Sequence, residues 1–360
     1  MKVAVIGAGA VGLGIGSGLS DRGVSVRYLV NRADQCHALT EKGITRTGIF
    51  GDVHVPADRF EVSDSLESLV DDPAEHWLIC TKSTTSPALA SALAPLWDAI
   101  SQKREHAASP SIILCQNGWG NSEIFSRSIP KENIFNARVI TGFERVDMTT
   151  VRITVHADAI RIGSLYGADL SAVNSLCAAI GEGGIPCESS REIARDLWAK
   201  VLYNALLNPL GALVGVPYGR LGERPETRAI MQTIARETFS VMRAAGFETH
   251  WSSADDYLAT FYADLLPPTA SHQSSMLLDL RAGRRTEIDR LCGAIAELAR
   301  AHGVPAPVNR AHGADSCSGK RNRCFAAQAY LQYVEQRNTD FSCQSAEMCR
   351  HSRTFMNNPG

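Results

Sequence analysis

The chain has 360 residues, 44% hydrophobic and 21% charged, with a formal net charge of −2. That length suits two domains rather than one. The near-neutral charge excludes a polybasic nucleic-acid surface, and no apolar run reaches the roughly 18 residues that mark a membrane span.

The N-terminus opens directly into an apolar run, Val3–Ile6, followed by a helical pattern from Val11 to about Ser20 and a second strand pattern over Val24–Val30. No charged leader or cleavage site precedes it, so the reading is a cytoplasmic protein without an export signal. His76–Cys80 and Ser111–Cys115 are short buried-type runs. Strand alternating with helix is the pattern of a doubly wound parallel sheet. Residues 151–163 nearly alternate, as in an antiparallel pair with one wet face. A helix near 169–182 and a short strand at Ile185–Glu188 follow. From Arg191 to about His302 the chain reads as helices. Leu197, Val201, Leu202, Ala205, Leu206 and Leu210 repeat at helical spacing. Arg228–Ala245 is a second helix, and Leu277–His302 a third long one. The expected fold is α/β, an N-terminal Rossmann-type domain over 1–189 and an all-α domain over 190–312. A divergent, partly disordered tail spans 313–360, with a short helix at 325–337.

Ten cysteines do not make a disulfide framework in a chain of this kind. Cys36, Cys80, Cys115, Cys177, Cys187 and Cys292 are scattered without paired spacing and read as buried free thiols. In the tail, Cys317-x6-Cys324 and Cys343-x5-Cys349 do not match zinc-ligand spacings, so no metal is expected.

Gly7-Ala8-Gly9-Ala10-Val11-Gly12 fits GxGxxG, directly after a strand and directly before a helix. Gly7 permits a tight turn, Gly9 lets a pyrophosphate approach the backbone, and Gly12 lets helix and strand pack closely. The helix N-terminus offers unpaired N–H groups to the anion. At the end of the second strand stands Asn31-Arg32-Ala33-Asp34. An acid there would bind a ribose hydroxyl, whereas Arg32 suits the 2′-phosphate of NADP, so NADPH is the expected cofactor. The competing reading makes Arg32 an ordinary solvated arginine and puts Asp34 on the ribose.

Lys200, Asn204 and Asn208 are spaced i, i+4, i+8, a polar stripe on a helix whose other positions are mostly apolar. Carbonyl reduction needs a proton donor besides the hydride, and a desolvated lysine is a better acid at neutral pH than a free one. Read alone, Glu287 is as well explained by a salt bridge to Arg284 or Arg285 on its own helix.

Further short segments appear in order along the chain. They are Cys80-Thr81-Lys82, Gln116-Asn117-Gly118, Lys200-x3-Asn204-x3-Asn208-Pro209, and Ser274-Ser275-Met276 followed by Thr286-Glu287-Ile288-Asp289. With the glycine loop they resemble the ketopantoate reductases of pantothenate synthesis, from residue 1 to about 310. The resemblance implies an NADPH-dependent oxidoreductase reducing 2-dehydropantoate to pantoate. It implies that Lys200 is the general acid and that Glu287 holds the substrate's oxygens and sets the proton balance with Lys200. It further implies that Asn204, Asn208 and Ser275 bind the ketoacid, that Asn117 bridges cofactor and carbonyl, and that Lys82 lies near the cofactor cleft. The cofactor set is then Gly7, Ala8, Gly9, Ala10, Val11, Gly12, Arg32, Lys82 and Asn117. The site falls in a cleft between domains, with hinge closure on binding, and the partners are a small-molecule 2-ketoacid and, for assembly, a second copy in a homodimer.

The stretches Arg138–Arg145 and Val155–Gly163 carry fewer small residues than such chains usually do. They leave a different 2-ketoacid or an imine as the alternative substrate. A non-catalytic NADP-binding regulator would need the glycine loop but neither Lys200 nor Glu287.

Overall fold

The computed structural model describes residues 1–103 and 109–314; the expected tail helix and the tail cysteines lie outside the described residues. Twelve strands form two sheets in this region. They are β1 (Lys2–Ile6), β2 (Ser25–Leu29), β3 (Ile44–Gly48), β4 (Val53–Val55), β5 (Glu61–Ser63), β6 (His76–Ile79), β7 (Ser111–Leu114), β8 (Ile134–Arg138), β9 (Thr141–Arg145), β10 (Thr150–His156), β11 (Ile160–Gly163) and β12 (Cys187–Ser189). The main sheet has the order β12-β11-β8-β7-β6-β1-β2-β5. Strands β5 to β8 in this sheet run parallel with β1 and β2, and β11 pairs antiparallel with β8. The chain first winds outward from β1 to β2 and β5, then returns to the other side of β1 to lay down β6, β7 and β8. The strand order therefore reverses between β1 and β6, where open α/β sheets bind ligands.

Both faces of the main sheet are covered, which is why its strands read as continuous apolar runs. Val3 and Val5 enter one core while Ala4 and Ile6 enter the other. Helices α3 (Ser68–Asp71), α4 (Ser86–Lys103) and α5 (Asn121–Phe125) follow β5, β6 and β7. The opposite face holds α1 (Ala10–Asp21), α2 (Ala33–Lys42) and α6 (Ser171–Glu182).

The second sheet, β4-β3-β10-β9, was not legible in the sequence. The near-alternation of 151–163 does not form one antiparallel pair. Instead β10 pairs antiparallel with β9 in the second sheet, and β11 pairs antiparallel with β8 in the main one. Their common alternation arises because each has one face against a core; the partner strands lie elsewhere in the chain. Helix α1 is enclosed by the main sheet, the second sheet and the turn after α6 together, which explains its glycines at 14, 16 and 18. A Cβ on Gly14 would lie 2.3 Å from the Phe143 ring, on Gly16 2.3 Å from the Tyr28 hydroxyl, and on Gly18 2.5 Å from the Gly183 carbonyl. A helix with side chains at these positions could not be packed on all sides.

The remaining helices are α7 (Ile193–Val214), α8 (Tyr218–Glu223), α9 (Pro225–Ala244), α10 (Ala254–Thr260), α11 (Ser275–Arg281), α12 (Cys292–Ala301) and α13 (Pro307–Ala314). They share one core around Trp198, Leu202, Leu206, Met231, Tyr257, Phe261 and Ile295. The single helix expected over Leu277–His302 is two helices. Gly283, at φ 68°, ends α11 with its N–H on the Leu280 carbonyl, and Arg284 N–H closes back on the Asp279 carbonyl. A turn at Ile288–Arg290 then leads into α12. The apolar period continues across the break because both helices face the same core, so periodicity alone hid it. The six cysteines of the described region are free thiols as expected, but only Cys115, Cys177 and Cys292 are buried; Cys36, Cys80 and Cys187 are half-buried.

The packing of α1 makes opposite predictions for two glycine-to-alanine changes. Gly14→Ala should destabilise by about 1–3 kcal/mol, the ordinary cost of overpacking. Gly181→Ala, in α6 with nothing within 4 Å of the added Cβ, should be neutral or stabilise by up to about 1 kcal/mol. Thermal melts of both variants against the parent check this; equal melting points would contradict the packing described.

Candidate active site

Two loops after β1 and β6 meet at the strand-order reversal. Gly7 turns at φ 103°, and its added Cβ would strike Thr81 at 2.9 Å. Gly12 would strike the Gly7 carbonyl at 2.2 Å. Both glycines are demanded by the protein's own packing. Gly9 is not, because a Cβ there would meet nothing nearer than the Cys80 carbonyl at 4.0 Å. Gly9 also stands at the N-cap of α1 and offers the first-turn N–H groups no side-chain cap. A side-chain-free approach at Gly9 beside uncapped helix N–H groups fits a dinucleotide pyrophosphate. Ala8, Ala10 and Val11 complete the loop; Ala8 is buried, and its carbonyl accepts a hydrogen bond from Gln35 Nε2 at 2.7 Å. At the end of β2, Arg32 is exposed and forked onto Asp34, with Nε–Oδ1 at 3.0 Å. The two competing candidates for the ribose end thus neutralise one another.

Across the cleft, the break between α11 and α12 delivers Glu287. Its carboxylate is buried. Oε1 accepts hydrogen bonds from Ser83 N–H at 2.8 Å and Ser83 Oγ at 2.9 Å, and Oε2 accepts one from Asn117 Nδ2 at 3.3 Å. Lys82 Nζ lies 3.9 Å from Oε2. Glu287 is therefore not engaged by its near neighbours: Arg284 pairs with Asp279 and Arg285 with Asp289. The salt-bridge explanation assumed one continuous helix, and the break turns the side chain the other way.

Lys200 projects from α7, half-buried, with no hydrogen-bond or ion-pair partner among the described residues. Burial pulls its pKa from 10.5 down to about 8; the Glu287 carboxylate opposes that shift, and the Arg138 guanidinium reinforces it. Arg138 is itself buried in β8 and held by Asp158 at 2.6 Å. Asn204, one turn on, is half-buried. Asn208 is more committed: its side-chain oxygen accepts from the Tyr218 hydroxyl, and its main-chain carbonyl accepts from Ser274 Oγ at 3.3 Å. Ser274 is also the N-cap of α11, its Oγ accepting from Leu277 N–H at 3.0 Å. Ser275 is exposed at the first position of that helix.

Lys82 sits beside the carboxylates, one residue after Thr81, which packs against Gly7 of the glycine loop. Its ammonium bonds Asp279 Oδ2 at 2.8 Å as well as approaching Glu287. Sequence reasoning missed Ser83 and Asp279. Ser83 adjoins a noted motif, but its amide contribution has no sequence signal. Asp279 follows Ser275 by one helical turn, and that spacing was the available clue.

The loop after β7 binds the helical region directly. Trp119 N–H donates to the Arg290 carbonyl at 2.8 Å, and an added Cβ on Gly118, at φ 89°, would collide with that same carbonyl. The Trp119 ring stacks on Trp198 at 4.6 Å and meets Phe247 edge-on at 4.8 Å. Asn117 is thereby held next to Glu287. In α7, Pro209 cannot donate to the Ala205 carbonyl, and the buried Cys292 thiol occupies that acceptor at 3.9 Å.

The fold and this lysine–carboxylate cleft beside a dinucleotide cradle define an oxidoreductase of the nicotinamide-dinucleotide class. Residues 3–173 match the family described as Ketopantoate reductase PanE/ApbA, and residues 192–312 its C-terminal counterpart. The chain belongs to the ketopantoate reductase family. It is 33% identical to the 2-dehydropantoate 2-reductase of Aquifex aeolicus over 296 residues, 82% of this chain and 89% of that one. The crystal structure of the PanE/ApbA family ketopantoate reductase from Ralstonia eutropha superposes with a TM-score of 0.72 at 28% identity, covering 91% of this chain and 99% of that one. D-mandelate dehydrogenase, in its ternary structure with NADH and anilino(oxo)acetate, shares the fold with a TM-score of 0.75 at 21% identity, covering 92% and 100%. No helix among the described residues is long and apolar enough to cross a membrane.

The geometry predicts how Lys200 titrates. With ¹³C-labelled lysine, its side-chain resonance should titrate with a midpoint near 8, and Glu287→Gln should move that midpoint lower by removing the opposing negative charge. Because the folded pKa is depressed, the unfolded chain binds this proton more tightly between about 8 and 10.5. This group therefore adds stability as pH rises through that window. A midpoint near the ordinary lysine value would contradict the enclosure of the ammonium.

Proposed function

We propose that the chain reduces 2-dehydropantoate to pantoate with NADPH. The observation that carries the reading is the Lys200 ammonium, enclosed and poised near pH 8, electrostatically coupled to the buried Glu287 carboxylate at the edge of the dinucleotide cradle. The loop Gly7–Gly12 and Arg32 would hold the cofactor, which when bound supplies the hydride. Lys200 polarises the 2-keto oxygen and gives it a proton as the carbon is reduced, then regains one from solvent. The carbonyl gains one hydride at carbon and one proton at oxygen, giving the alcohol. Asn117 and Glu287 orient the reacting end, while Asn204, Asn208 and Ser275 bind the rest of the ketoacid. Asn208 can serve through its amide nitrogen, since its oxygen is held by Tyr218. Lys82, tied to Asp279, offsets part of the negative charge of the two carboxylates on that side of the cleft. We place the enzyme in the cytoplasm, as a homodimer, with domains 1–189 and 190–312 closing on the substrate.

Lys200→Ala should lower kcat by about 10²–10⁴-fold, the usual contribution of a general acid, while leaving NADPH binding nearly intact. Its kcat/KM should fall in the parent enzyme as pH rises through about 8, where the ammonium is lost. Absorbance of NADPH followed across a panel of 2-ketoacids tests the substrate. Turnover of another ketoacid with none of 2-dehydropantoate would overturn the specific reading and keep the reaction class.

A further inference from the structure

The second sheet brings an arginine to the outer end of the cofactor cradle. Buried Gln35, in α2, donates from Nε2 both to the Ala8 carbonyl of the glycine loop at 2.7 Å and to the Met148 carbonyl at 3.0 Å. It thereby fixes the β9–β10 turn against the loop and the start of α2. The turn is rigid: Asp147 Oδ1 accepts from Thr149 N–H and Thr150 N–H, each at 2.8 Å, and Val146 N–H closes on the Thr150 carbonyl at 3.0 Å. Arg145, the last residue of β9, is pinned by its Nε to the Asp147 carbonyl at 2.9 Å. No carboxylate lies within ion-pair distance of it among the described residues, so the outer edge of its guanidinium has no protein partner there.

That guanidinium faces like charge. Partial burial first, and then the neighbouring Arg32 guanidinium, pull the Arg145 pKa below the ordinary arginine value, with Arg284 adding to the same effect; Asp147 and Asp34 oppose it. Both arginines are exposed and solvated as they stand; an anion placed between them would accept charge-assisted hydrogen bonds from both guanidinium groups. Arg32 can turn toward such an anion, because its present partner Asp34 is an exposed neighbour two residues away.

We propose that Arg145 and Arg32 together clamp the 2′-phosphate of the cofactor's adenosine, with Arg145 supplied by the second sheet. This rests on the NADPH reading and assigns its selectivity to a residue outside the main sheet. One guanidinium comes from the end of β2 and the other from the end of β9, so a dianion between them accepts charge-assisted hydrogen bonds from two sides. The β9–β10 turn then acts as a selectivity element, and Gln35 as the residue that positions it.

The test measures binding of adenosine 2′,5′-bisphosphate and of 5′-AMP to the full chain by calorimetry. Arg145→Ala should weaken the bisphosphate by about 10–100-fold, the range of a lost charge-assisted contact, and change 5′-AMP by less than about twofold. Arg145→Lys, which keeps the charge without the fork, should lose less. Gln35→Leu should weaken the bisphosphate as well, by releasing the turn. Unchanged discrimination in Arg145→Ala, or equal loss for both nucleotides, would overturn the clamp. Parent protein that binds the two nucleotides equally would instead overturn the NADPH reading itself, so the two failures are distinguishable.

Discussion

The site depends on keeping one carboxylate buried. Glu287 is taken out of water and compensated by a backbone amide, a hydroxyl and a carboxamide, all from loops after β6 and β7. Such a group is costly unless every partner is in place. The Glu287 contacts therefore bind the helical region to the edge of the parallel sheet as firmly as they set the local charge. Lys200 feels that charge from the third side. Desolvation alone would carry its pKa lower than about 8, and the carboxylate holds it there. A proton donor useful at neutral pH thus arises from two opposed effects, each traceable to a named part of the chain.

The partners of Glu287 can be where they are only because the loop after β7 is anchored. Trp119, sandwiched against Trp198 and Phe247, and its N–H on the Arg290 carbonyl fix Asn117 on one side. Lys82 on Asp279 fixes the other. These contacts come from the loops after β6 and β7, and the loop after β6 packs directly on Gly7 of the glycine loop.

Helix α1 imposes a second constraint. Gly14 lets the second sheet lie against it through Phe143, and the second sheet is what brings Arg145 to the cofactor end. The GxGxxG signature accounts only for Gly7, Gly9 and Gly12. Gly14, Gly16 and Gly18 answer to packing against Phe143, Tyr28 and Gly183. That run of alternate glycines was a visible sign of a helix enclosed on all sides. It does not say by what, because the enclosing strands are more than a hundred residues away in part.

The sequence by itself determined the parallel sheet, the helical second half and the dinucleotide loop. These follow from local periodicity and from glycines placed where a turn needs them. It also placed Lys200, Asn204 and Asn208 on one helical stripe, since spacing on a helix is geometry in one dimension. Tertiary structure alone decided that Leu277–His302 is broken at Gly283, that Glu287 turns away from Arg284 and Arg285, and that Ser83 and Asp279 join the cleft. It alone separated β10 from β11 into different sheets. The physical reason is common to all of these. Burial and hydrogen-bond satisfaction are set by residues distant in the chain, and an apolar period stays the same whether one helix or two lie against a core.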